Sequence, residues 1–363
     1  MIKIKNIKFR ILFFAWLVTV AGSAQPLHPD AEFSVFQFPA NQIPSIDGDP
    51  SDWSVVPVSY EVGTKDMWDD SGKHLAPDAS TTDIRVKVGW VKGENRLYFL
   101  YEATDNYWDF SRSGLEADIF ELVVDADRSG GPLINRFHSI KDTDKWEAYF
   151  SMHGVHAQNY HIFTPAVEKD WAMVWGCQPW IKQLPYANAA SDFSFKAGEK
   201  GKLILEFFIT PFDYAGTEPA RSVPSMLYEN KKIGMSWAVI DFDDVNSTSN
   251  NGFWNLSSEH TMYGQADFLR IFRLMPLEAA FTKKIEAKWS FKVLDMNSRS
   301  IAFYDESVGQ ITSWKWDFGD GLTSEEQHPQ HKYKEAGNYI VTLAVEGKAG
   351  KSKLTKVWDV TVK

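Results

Sequence analysis

His153, His156 and His161 fall within one short stretch, HGVHAQNYH, and are three of the nine histidines in the 363-residue chain. Imidazoles gathered this tightly suit two chemistries, ligation of a transition metal and proton transfer near neutral pH. They also serve as polar side chains along a strand, and the spacing bears on which use applies. WEAYFSMHG (146–154) reads as a strand ending at a glycine, and VHAQNYHIF (155–163) as its return, with the turn at His153-Gly154. Side chains alternate along a strand, so His156, Gln158 and Tyr160 share one face while Val155, Ala157, Asn159 and His161 share the other. A three-histidine metal site then needs a bulge here, or His138 brought in from elsewhere. The alternation favours a polar strip led by His156 and Tyr160.

Aromatic side chains form a second candidate set. The chain has 15 Trp and 13 Tyr. Trp171, Trp175 and Trp180 lie in KDWAMVWGCQPW, Trp108 in DNYWDF and Trp254 in NNGFWNLSSEH. Sugar C–H faces stack on aromatic rings and sugar hydroxyls need planar polar partners, so tryptophans in polar loops are suited to carbohydrate. The same rings could instead pin long loops to a core, the role expected of Trp53, Trp90 and Trp316. Acids form a third set. Asp125 and Asp127 alternate ahead of a glycine turn in DADRSGG, half of a calcium-loop pattern, and a structural calcium ion is expected there. DFDD (241–244) is a second acidic turn. Glu121, Asp125, Glu147, Glu206 and Asp241 could supply a hydrolytic pair, but with 48 acids in the chain a pairing diagnoses nothing. Serine-elbow, HExxH, P-loop and dinucleotide signatures are absent from the sequence.

These side chains are carried by strands. TDIRVKVGW (82–90), RLYFLYEA (96–103), IFELVV (119–124), LILEFFI (203–209), IGMSWAVI (233–240) and FLRIFRL (268–274) are short runs with turn residues between them. No long helical period intervenes, which points to an all-β sandwich with long loops at 104–117, 128–145, 162–200 and 211–231. A boundary falls near 275–284, followed by a smaller all-β unit. Trp316 and Phe318 alternate inward in WKWDFGDG (314–321), while Asp317, Asp320 and Gly321 set a tight turn.

The first residues read as a secretory leader. Lys3, Lys5, Lys8 and Arg10 precede an apolar run from Ile11 to Val20, and Gly22-Ser23-Ala24 offers a cleavage point. The run is too short to span a bilayer, and no later stretch is apolar enough. The leader holds four of the 38 Lys and Arg and no acid, so the remainder balances 34 bases against 48 acids, or −14. That charge disfavours nucleic acid and anionic membrane surfaces as partners. A single cysteine, Cys177, excludes an intramolecular disulfide.

Two resemblances follow from motifs in order. WDFGDG, the His-x-Tyr at 331–333 and GNYIVTL at 337–343 resemble the polycystic-kidney-disease (PKD) domain. The resemblance implies an immunoglobulin-like sandwich acting as a spacer or a docking module for cell-surface or enzyme partners. IPSIDGDPSDW (43–53), with RLYFLYEATD, ADIFELVVDAD, KLILEFFIT, MSWAVIDFDD and FLRIFRL after it, resembles the family 9 carbohydrate-binding module. That resemblance implies a jelly-roll-type sandwich, often with structural calcium, that holds sugar between two tryptophans. Trp254 matches one of them, whereas Leu115 stands in the place of the other and Trp108 offers a replacement.

The expected organisation is a leader at 1–24, a family 9-like sandwich at 25–275 and a PKD domain at 276–363. The expected function is exported carbohydrate binding to a polysaccharide or its oligosaccharides, through Trp254, Trp175, Trp180, Trp108, His156 and Tyr160, with calcium at Asp125 and Asp127. The alternative is a glycan-degrading enzyme on the same sandwich, a hydrolase, or a lyase drawing on His156, Tyr160 and Arg136.

Overall fold

The computed structural model describes residues 31–74, 82–112, 114–131, 153–282 and 284–363. The leader, Arg136, His138 and the 146–152 strand lie outside the described residues.

Alternation builds the strands. In Thr82–Val91, Ile84, Val86 and Val88 are buried while Arg85 points to solvent. One hydrogen-bonded path runs through Ala172–Val174, Gln158–Phe163, Ile119–Asp125, Lys232–Asp241, Arg270–Leu274, Glu32–Phe38, Thr82–Val91, Leu97–Asp105, Gly201–Ile209 and Ala187–Asp192. Glu32–Phe38 links the two halves of this path. Its residues 32–35 run parallel to 271–274, and its residues 36–38 run parallel to 89–91. The halves curl face to face around one core, so the expected β-sandwich forms. Phe120, Leu122 and Trp237 enter that core from one half, and Phe99, Tyr101, Leu205 and Phe207 from the other. Tyr101 meets Phe120 across the gap with ring centroids 4.8 Å apart. The 162–200 segment is more regular than a loop, since it contributes the strands Ala172–Val174 and Ala187–Asp192.

A third layer covers the second half. Phe36, Phe38, Trp53, Tyr98, Leu100 and Phe208 pack together there. The IDGDPSDW segment is pinned to this layer by one carboxylate. Glu206 Oε1 accepts the Trp53 Nε1–H at 2.8 Å and its Oε2 accepts the Gly48 amide at 2.8 Å. Gly89 is required where the first strand crosses over, because a Cβ there would lie 2.1 Å from Phe38 Cε2. Phe38 is wedged edge-on against Trp53 with centroids 5.1 Å apart and has little room to yield. Gly89→Ala is expected to cost about 1–3 kcal/mol by overpacking. Urea unfolding should show a lower midpoint at unchanged slope, and an unaltered midpoint would mean that Phe38 moves freely.

Beyond residue 284 the strands form two separate sheets. One holds Trp289–Asp295, Ser300–Asp305 and Gln330–Lys332, and the other Thr323–Ser324, Ser313–Asp317, Gly337–Gly347 and Gly350–Val362. Their core includes Trp289, Phe303, Trp316, Phe318, Tyr333, Val341 and Leu343. The WDFGDG turn has the expected chemistry. Asp317 Oδ1 accepts the Gly319 amide at 2.9 Å, and Gly319 takes φ 79 with the Ile340 carbonyl only 2.4 Å from where a Cβ would sit. The motif tyrosine closes the turn, Tyr333 Oη donating to the Phe318 carbonyl at 3.0 Å. Among the described residues no helix is long and apolar enough to cross a membrane.

Candidate ligand-binding site

Phe120, Leu122 and Val124 point into the core, which forces Glu121 onto the outer face of its strand. Tyr160 and Ile162 do the same on the neighbouring strand and leave Asn159 and His161 on that outer face. Glu121 and His161 are register partners. The three side chains meet at one atom, Glu121 Oε1, which lies 3.0 Å from His161 Nε2 and accepts the Asn159 Nδ2–H at 3.1 Å. All three are buried, Glu121 at 3%, Asn159 at 2% and His161 at 7% exposure. Burial alone would raise the Glu121 carboxyl. The facing His161 charge and the His161 and Asn159 hydrogen bonds outweigh it and hold the group below its ordinary value. Two further polar atoms of this cluster, His161 Nδ1 and Asn159 Oδ1, are buried without a hydrogen-bond partner.

Aromatic rings border the cluster. Half-buried Trp175 stands edge-on to His161 with centroids 5.5 Å apart. The Tyr263 hydroxyl is pushed up by burial, then by the charges of Glu121 and Asp70. His260 pairs with Asp70 at 2.8 Å and packs against Phe253 and Tyr263. Burial pushes His153 down to about 4, so it is neutral at neutral pH.

The sequence-predicted residues divide. Trp175 reaches the cluster. Trp108, Trp254 and Tyr160 do not offer ring faces, and this corrects the expectation for them. Trp108 is 2% exposed, stacked on Phe195, with its Nε1–H given to the Gly201 carbonyl at 2.9 Å. Trp254 is 1% exposed with the His74 ring tilted against it, and Tyr160 is wholly buried. Trp180 donates Nε1–H to the Gly216 carbonyl and packs edge-on against Tyr186 and Phe212. His156 sits in the turn before the strand, its Nδ1 3.2 Å from the Asp213 carbonyl and its ring edge-on to Tyr214. The His156–Gln158–Tyr160 face is therefore the inward one. The available signal for the outer face was a lone acid, Glu121, inside the apolar run IFELVV.

The acids also regroup. Asp125 accepts the Ser129 and Gly130 amides at 3.1 and 2.8 Å, and Asp127 accepts the Ser129 amide at 3.0 Å. The pair caps its own turn, and among the described residues no third acid joins it within shared-ligand distance. The three-carboxylate cluster among the described residues is Asp105, Asp241 and Asp243, whose ligand atoms lie within 4.8 Å of one another. Asp118 adds its field to the same place. Asp241 Oδ1 is buried there without a hydrogen-bond donor, so the oxygen-rich set fits a hard divalent cation. Glu206 is sealed beneath Trp53.

Comparison with known proteins gives the second unit a family. Residues 294–362 match the PKD domain family. The PKD1 domain from the Vibrio cholerae metalloprotease PrtV is 31% identical, with 22% of this chain covering 96% of that domain at a TM-score of 0.20 over the whole chain. The C-terminal segment belongs to the PKD family. Collagenase ColA of Bacillus cereus is 46% identical over 70 residues, 18% of this chain and 7% of the collagenase. The chain thus spans about 7% of the length of this curated relative. A family 9 carbohydrate-binding module from Caldicellulosiruptor kristjanssonii, solved with cellotriose, is 13% identical with a TM-score of 0.43, and the match covers 69% of this chain and 96% of that one.

Proposed function

We propose that the sandwich at 25–275 is a carbohydrate-binding module of an exported protein, its leader removed near Ala24 and the PKD domain serving as spacer or docking module. The observation that carries this reading is the Glu121–Asn159–His161 cluster beside Trp175. Convergent, pre-positioned polar groups at the foot of aromatic side chains are what fixes a hydroxylated ring in one orientation. Glu121 is held ionised by donors already in place, a state suited to accepting hydroxyl hydrogens. The same proposal assigns a structural calcium ion to Asp105, Asp241 and Asp243, where it would tie the end of one sheet half to the other.

Affinity electrophoresis of the whole protein in gels containing neutral and acidic polysaccharides, with and without calcium, tests the reading when joined to product analysis by mass. Retardation on at least one glycan without new reducing or unsaturated ends is the expected result. Released products would replace binding by catalysis, and unretarded migration on every glycan would refute carbohydrate recognition.

A further inference from the structure

We infer that the Glu121 cluster is built to receive a protonated amine, so that among carbohydrates it selects aminated sugars over neutral or carboxylated ones. This rests on the carbohydrate reading above and concerns the same site. The argument is one of hydrogen-bond polarity. His161 Nε2 and Asn159 Nδ2 both face Glu121 Oε1, at 3.0 and 3.1 Å. In the neutral ring that leaves His161 Nδ1 as an acceptor, and it leaves Asn159 Oδ1 as another. Both atoms are buried and unpartnered. The cluster therefore presents a carboxylate and two further acceptors. A protonated primary amine carries three N–H donors and no acceptor, whereas a hydroxyl donates once.

Charge points the same way. Glu121 is 3% exposed, yet its environment keeps it ionised. Among the described residues neither Glu121 nor neighbouring Asp70 has an ion pair with a Lys or Arg; their charged partners are histidines, His161 and His260. A buried carboxylate with no Lys or Arg partner is costly to hold, and a cationic ligand would lower that cost on binding. A uronic acid or sulfate would bring like charge to the same place.

The test uses three forms of one ligand: a cello-oligosaccharide, its 6-amino-6-deoxy derivative, whose alkylamine is charged at neutral pH, and its 6-carboxylate. Calorimetry on the full chain should find the amine bound about tenfold tighter than the parent, the difference expected between charge-assisted and neutral hydrogen bonds, with the carboxylate weakest. Glu121→Gln should remove the amine preference. His161→Gln, which keeps both a donor toward Glu121 and a free carbonyl acceptor, should retain it. Equal affinity for amine and hydroxyl, or an amine preference that survives in Glu121→Gln, overturns the inference and leaves sugar binding standing. Failure of all three ligands to bind overturns the inference, and the carbohydrate reading falls with it only where every polysaccharide in the electrophoresis also fails to retard the protein.

Discussion

Calcium added to metal-free protein near pH 8 is expected to raise the thermal midpoint by about 5–10 °C, and to do little near pH 5. The cause lies at the end of the sandwich, where Asp105 closes the Leu97–Asp105 strand of one half and Asp241 closes Lys232–Asp241 of the other. Burial, then the charge of Asp241, pushes the Asp105 carboxyl up to about 8. Burial, then the charge of Asp243, pushes Asp241 up to about 7. Asp118 is driven well above its ordinary value by burial and then by the charges of Asp105 and Asp241. A carboxyl raised in the fold contributes stability that is fully present below its ordinary range and is lost as pH climbs through the raised value. Without a cation the sandwich should therefore weaken between about pH 4 and pH 8, by a few kcal/mol.

A divalent ion reverses the sign, because it binds the ionised carboxylates and displaces their protons. At a hundredfold excess over its dissociation constant it contributes about 2.7 kcal/mol. Asp241→Asn separates the two terms. In calcium-free buffer near pH 8 the variant should be more stable than the parent, since one buried like charge is gone, and its midpoint should no longer respond to calcium. Melting curves by circular dichroism across pH, with calcium and with chelator, decide the matter. A parent midpoint indifferent to calcium near pH 8 would reduce the cluster to carboxyls sharing protons.

The PKD unit was legible because its determinants are local. An aspartate two residues ahead of a glycine at positive φ explains the WDFGDG turn without reference to the rest of the chain. The strand alternation in HGVHAQNYH was equally legible, and Asn159 and His161 do share a face. What the stretch could not reveal is which face the core takes, because that is decided by Phe120, Leu122 and Val124 on a strand more than thirty residues upstream. The acids show the same division. DADRSGG is a local pattern, and its own amides donate to both of its acids. Asp105 and Asp241 meet only when two sheets close on each other, and sequence distance hides that. The tryptophans misled for a related reason. A ring in a polar segment reads as exposed, but Trp108 lies flat on Phe195 and Trp254 is folded under the 69–74 turn, where the His74 ring covers it.

That difference among tryptophans carries the second large expectation. Trp108→Ala and Trp254→Ala should each cost about 3–5 kcal/mol, because each empties a fully buried indole volume. The Trp254 Nε1–H is buried without an acceptor, so Trp254→Phe, which keeps most of the ring and removes an unsatisfied donor, should cost far less than the alanine change. Trp175 is half-buried at the border of the Glu121 cluster, and Trp175→Ala should cost about 1 kcal/mol or less in stability. Its effect belongs in binding, where loss of one stacking face should weaken a glycan about tenfold. Urea midpoints and glycan affinities measured on all four variants give two independent columns of data. Stability should fall with Trp108 and Trp254 while affinity falls with Trp175. A fully stable Trp254→Ala protein that no longer binds glycan would return that indole to the ligand and displace the site from Glu121.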